Sequence, residues 1–368
     1  MNSLSSTITP IKSTGIAWGR IPFLAVGMLS LFAGVPAGLA RLGVAMPDSL
    51  TGLMAAHGPL MISGFFGTLI ALERAVAIGR PWAYVPPALS AAGGLALVAA
   101  APDAYAGASF VAAGVALTGV SLLLYTRQPA LFTAVMAAGA CAWTAGNLIW
   151  AAGQAPGEAV PCWICFFVLT IAAERLELTR FLPPRPGATP AFLVAAAVLL
   201  AGAVIRDDSL LGLGLMAVAL WLSVCDVARR TIRSDGLPRF TAVCLLSGYA
   251  WLALAGAVII RGLLEPGDPA YDAGLHALFL GFVFAMVFGH APIIFPAILR
   301  LPIPYHPVFY LPVALLDLSL VVRWIGDFAD VPALRVWGAA GNGTAITLFL
   351  VLTVWRALSS SAAIRTSS

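Results

Sequence analysis

The sequence predicts an all-α polytopic membrane protein with about 12 transmembrane helices. Three observations carry that reading. Hydrophobic residues make up 61% of the 368-residue chain and charged residues only 10%, against about 25% charged in soluble domains. The mean hydropathy is +0.96. Apolar runs of about 20 residues, the length that crosses a hydrocarbon core of about 30 Å, recur about 12 times. Almost no chain remains for a soluble domain, so any chemistry sits in the helices or their short loops.

Taken in order, residues 1–16 are polar and carry the only lysine, Lys12. They lack the apolar core and small-residue cleavage site of a signal peptide, and they read as a disordered cytoplasmic tail. One transmembrane domain, 17–357, follows. Its expected spans are 20–42, 51–73, 82–101, 105–126, 130–153, 158–180, 188–205, 208–228, 239–263, 269–291, 304–325 and 332–356. Breakers separate them: Pro47 and Asp48, Gly79 to Pro81, Ala101 to Asp103, Gln128 and Pro129, Pro183 and Pro184, Pro266 to Pro269, and Pro302 with Pro304. Short loops imply antiparallel neighbours in a bundle. Residues 358–368 read as a second cytoplasmic tail.

With the N-terminus inside, 15 of the 20 basic residues fall on the inner side and five, Arg41, Arg206, Arg261, Arg323 and Arg335, on the outer side. That bias predicts a multi-pass protein of the inner (cytoplasmic) membrane with both termini cytoplasmic. Membrane lipids are the expected surroundings. The basic residues form no patch for nucleic acid. A weak repeat is also visible. Ile70–Arg74 in span two and Ile171–Arg175 in span six share an Ile-Ala-x-Glu-Arg pattern, and spans two and ten share His and Gly-Phe elements. Spans two, six and ten would then hold equivalent places in three pseudo-equivalent four-helix units.

Only four histidines occur. His57 opens Ala56–Gly67 and His276 opens the segment to Met286, each about 10 Å below the outer boundary in this topology. A single intramembrane histidine is ordinarily an interhelical hydrogen-bonding group. Two at matched depth, beside the small residues Ala55, Ala56, Gly58, Ala273, Gly274 and Ala277, point to axial ligation of a haem iron.

The stretch Ala56-His57-Gly58-Pro59-Leu60-Met61-Ile62 resembles the second helix of haem-copper oxidase catalytic subunits, and His276–Met286 is similar to their tenth. Twelve helices in three groups of four is that family's architecture. The resemblance implies a low-spin haem b ligated by His57 and His276, with propionates directed outward toward Arg323, Arg41 or Arg261. Those enzymes need six histidines, so four imply that the oxygen-reducing centre is lost and that the chain is no terminal oxidase. The segment His276–Gly281 followed by Gly289-His290 also resembles the NnrS family of membrane haem proteins. That likeness implies electron transfer or redox and nitric oxide-linked metabolism, with a quinol or redox-protein partner, and leaves an oxidoreductase role open.

Other groups give further expectations. His290, His306, Cys162 and Cys165 are candidates for a second metal site, with copper as its metal; ordinary burial and interfacial anchoring are the plainer readings. Glu73, Arg74, Glu174 and Arg175 share the inner side with His290. Asp317, mid-span, is expected to relay protons or to bond Ser319 or Asn342. A cofactor-free transporter and a respiratory-complex assembly subunit remain as alternatives, since many carriers share this span count. No P-loop, zinc-protease helix or nucleophile elbow is present.

Overall fold

The computed structural model describes residues 17–261 and 267–366, with side chains to residue 359. The expected tail 1–16 lies outside the described residues. The helices are α1 Trp18–Arg41, α2 Met54–Ile78, α3 Val85–Val98, α4 Asp103–Arg127, α5 Leu131–Ala151, α6 Pro156–Thr179, α7 Ala188–Ile205, α8 Asp208–Cys225, α9 Leu237–Ile259, α10 Pro269–Leu299, α11 Pro307–Phe328 and α12 Pro332–Thr366. Among the described residues, eleven helices are long and apolar enough to cross a membrane. The chain is an all-α, multi-pass membrane protein.

The third span is the exception. Where 82–101 was expected, a 3₁₀ turn over Pro81–Tyr84 leads into a 14-residue α3. Pro81, Pro86 and Pro87 offer no backbone N–H, so regular α-helix begins only at Val85. At about 1.5 Å per α residue and 2.0 Å per 3₁₀ residue, the two pieces still cover about 29 Å. At the other terminus, α12 runs on through Thr366. The expected separate tail over 358–368 is therefore helical to that point, because no proline or glycine follows Gly343.

Consecutive helices pack as neighbours, α5 on α6, α11 on α12, α4 on α5 and α7 on α8. Lipid gives helices little hydrophobic reason to associate, so shape and polar contacts must specify the bundle. At its centre, α2, α6 and α10 meet through aromatic rings. Phe66 packs on Phe167 at 5.0 Å and on Phe284 at 5.1 Å, and Phe167 packs on Phe279 at 5.6 Å. Arg74 of α2 and Glu174 of α6, which belong to the repeated pattern, form an ion pair at 2.5 Å. A buried network binds α2 to α3, α4, α5 and α6. Ser63 Oγ donates to Asn147 Oδ1 (2.8 Å), Trp163 Nε1 to the same oxygen (3.1 Å), Trp143 Nε1 to Ser63 Oγ (3.0 Å), Asn147 Nδ2 to Phe110 O (3.0 Å) and Ser90 Oγ to Ser63 O (2.6 Å).

Both histidine-led segments depart from α-geometry at the same place. Directly after His57 and Pro59, α2 is a π-helix over Leu60–Gly67; directly after His276, α10 is a π-helix over Ala277–Phe284. At the far end, Arg20 ties the start of α1 to the end of α10, donating to Ala297 O and Ile298 O (3.1 and 2.8 Å) and to Tyr84 Oη (3.0 Å). The bundle thus has a histidine end and an Arg20 end.

Candidate functional site

A cavity of about 350 Å³ opens at the histidine end between α1, α2, α6, α10, α11 and α12. Its walls divide by polarity. Val35, Met61, Ile62, Phe66, Phe279, Phe284 and Ile346 form an apolar floor, while Arg41, Asp272, Arg323, Asp327 and Arg335 surround the mouth. His57 and His276 face each other across it, with ring centroids 6.4 Å apart and planes inclined by 24°.

Backbone carbonyls hold both rings. His57 Nδ1 lies 2.7 Å from Gly34 O, and His276 Nδ1 lies 2.9 Å from Asp272 O. A carbonyl only accepts, so Nδ1 carries the hydrogen in each ring, and in the neutral imidazole Nε2 presents a lone pair. Gly38 lets α1 approach the His57 ring closely, since a Cβ there would stand 2.7 Å from Cε1 and 2.9 Å from Nδ1. On the α10 side, Asp272 lies one helical turn before His276, which puts both on one face. Its Oδ1 is 3.1 Å from His276 Nδ1, and its carboxylate takes both Nε and Nη2 of Arg323 (2.7 and 2.8 Å). Buried Asp327 faces Arg335 Nε at 3.2 Å, and Arg335 also pairs with Asp330 at 2.6 Å.

The other expected residues distribute as follows. Arg323 lines the cavity, but Asp272 occupies two of its three nitrogens. Arg41 lines the mouth and makes no ion pair among the described residues. Arg261 does not reach the cavity; it is exposed at the end of α9. His290, His306, Cys162 and Cys165 do not come together, and no three His, Cys, Asp or Glu side chains form a metal group among the described residues. The reasons are local. His290 Nδ1 bonds Met286 O at 2.7 Å, and exposed His306 accepts from Val308 N–H at 3.1 Å as a helix cap. Cys165 faces α7, 3.9 Å from Leu199 O, because the α6 face toward α2 and α10 belongs to Trp163 and Phe167, about 200° away on the helix. Asp317 accepts from Trp251 Nε1 at 2.9 Å rather than from Ser319 or Asn342, which bond each other at 2.7 Å.

Sequence reading missed Asp272 and Gly38. Asp272 had a readable signal, a carboxylate four residues before a histidine on the same helix. Gly38 had none, because its role depends on how α1 meets α2.

Fold and site define a polytopic membrane protein with a two-histidine cavity at one end of the bundle. The chain belongs to the family described as Domain of unknown function (DUF8744), which it matches over residues 20–358. No curated protein and no solved structure matches it.

Proposed function

We propose that this is a membrane haem b protein with His57 and His276 as axial ligands, serving electron transfer or redox and nitric oxide-linked metabolism. The observation that carries the reading is the pair of near-parallel imidazoles 6.4 Å apart. Half that separation, about 3.2 Å, matches an imidazole radius plus a metal–imidazole bond of about 2.0–2.1 Å. The fixed tautomers support it too, since Nδ1 bonded to a carbonyl is the usual second partner of a metal-bound histidine. The apolar floor suits a flat macrocycle, and Arg41, Arg335 and the remaining Arg323 nitrogen suit two propionates at the mouth.

Haem b, when bound, supplies one-electron redox chemistry. His57 and His276 would fill both axial positions, which favours electron transfer over ligand chemistry. Ile62, Phe66, Phe279 and Phe284 keep water from the buried side of the cavity. Asp272 would orient His276 through the Nδ1 hydrogen bond. A quinol or a redox protein would exchange electrons at the membrane surface. The resemblance to haem-copper oxidase subunits and NnrS proteins supports the same ligand pair, and four histidines speak against an oxygen-reducing centre. The bias of basic residues supports an inner-membrane protein with cytoplasmic termini and the cavity opening outward.

Visible spectroscopy of the full-length protein purified from haem-replete cells tests the reading. A reduced low-spin b-type spectrum is expected, lost in both His57→Ala and His276→Ala. A colourless preparation of folded protein would overturn it.

A further inference from the structure

The Arg20 end holds a second concentration of polar groups. Glu73 and Arg74 come from α2, Glu174 and Arg175 from α6, Asp226 from the turn after α8, Tyr249 from α9 and His290 from α10. Arg175 stands at the centre, with its charge acting on Glu73, Asp226, Tyr249 and His290. Five buried side-chain atoms lack a hydrogen-bond partner among the described residues. Two belong to Asp327, and the other three are Arg175 Nε, Asp226 Oδ2 and Tyr249 Oη. Their residues are 6%, 2% and 1% exposed.

A purely structural network at such depth closes its hydrogen bonds, as the one around Asn147 does. This one does not. Of the nearby cations, Arg74 pairs with Glu174, while Arg185 and Arg229 donate to Val224 O, and Asp226 makes no ion pair among the described residues. A buried carboxylate without an ion pair is costly.

We propose that this cluster is a proton-exchange site at the end of the bundle opposite the histidine cavity, where Asp226 Oδ2 takes up one proton from water and releases it again. A proton neutralises the buried carboxylate and needs no cavity. On uptake, the carboxylate becomes a carboxylic acid whose O–H donates to Tyr249 Oη. On release, the proton returns to water and the Tyr249 O–H donates to the carboxylate. No electron moves. Oδ1 accepts the Ala228 N–H at 2.6 Å, so Oδ2 is the oxygen that exchanges. The Arg74–Glu174 pair, with side chains 15% and 27% exposed, forms the outer edge of the cluster. Burial raises the Asp226 carboxyl above the ordinary carboxylate range, against Arg175 and the Ala228 N–H, which lower it.

Infrared pH-difference spectroscopy on the full-length protein in lipid vesicles tests this, and it needs no haem. A carboxylic-acid C=O band should grow as pH falls through a range above the ordinary carboxylate one and shift in D2O. The band should be absent from Asp226→Asn and moved in frequency, but retained, in Tyr249→Phe. Asp317→Asn, a carboxylate elsewhere in the bundle, should leave it unchanged. If Asp226→Asn fails to fold, the Tyr249→Phe shift decides alone. A titrating band that is the same in wild type, Asp226→Asn and Tyr249→Phe, or no such band, would overturn the proposal and leave a static anchor.

Discussion

Asp272 divides its carboxylate between His276 and Arg323, whereas His57 leans on an uncharged carbonyl. On the proposed haem reading the two histidines would therefore be unequal ligands. On that reading, replacing Asp272 by Asn would remove a negative charge beside one ligand and leave the Arg323 charge unpaired, and both effects would disfavour an oxidised iron. A redox titration should show the midpoint potential rising by tens of mV, on a scale where about 59 mV is a tenfold change for one electron. An unchanged potential would remove Asp272 from the site. Gly38→Ala would press a methyl into the His57 ring, and overpacking of this kind costs about 1–3 kcal/mol. A lower thermal midpoint and a weakened low-spin spectrum are expected together. At this scale the histidines were readable because histidine is rare here and expensive in a bilayer. Asp272 and the exclusion of Arg261 were not, because sequence gives the depth of a side chain but not which neighbour it meets.

Among the helices, Asn147 joins α5 to α2, α4 and α6 through three hydrogen bonds. Interhelical bonds in membranes average about 0.6 kcal/mol, with a maximum near 1.7. Asn147→Leu removes all three and leaves Trp163 Nε1 buried without an acceptor, so thermal unfolding in detergent should show a loss of about 2–4 kcal/mol. Helix number and order were legible from apolar runs and breakers. The start of α3 and the reach of α12 were not, for opposite reasons. Prolines at 81, 86 and 87 delay regular helix in a segment that hydropathy reads as uniform, while the polar serines after Leu358 do nothing to stop a helix that no breaker ends. The Glu-Arg pattern of spans two and six gave no hint that one member of each pair would join in a single salt bridge.

The molecule as a whole keeps its two polar concentrations at opposite ends of α2 and α10, separated by the aromatic contacts of Phe66, Phe167, Phe279 and Phe284. Proton uptake at Asp226 should therefore appear in global stability. The folded protein holds the Asp226 proton at pH values where the unfolded chain, with a carboxyl pKa of about 3.9, has already released it. The stability this contributes is complete below that ordinary value and is lost as pH rises through the raised native one. Thermal melts across that window should show wild type losing stability relative to Asp226→Asn as pH rises; parallel curves would mean that the carboxyl titrates alike in both states.

The widened turns after His57 and His276 set how the chain tolerates changes in length. A helix held by i→i+5 bonds carries a surplus residue that a regular helix of the same span would not need. One residue removed from Leu60–Gly67 can be absorbed by regularising the stretch, leaving His57 and Arg74 facing much as before. The same deletion between Thr68 and Leu72 has no surplus to draw on and turns one end against the other by about 100°. Haem content and the Asp226 infrared band, measured on both deletion variants, should survive the first and fail in the second.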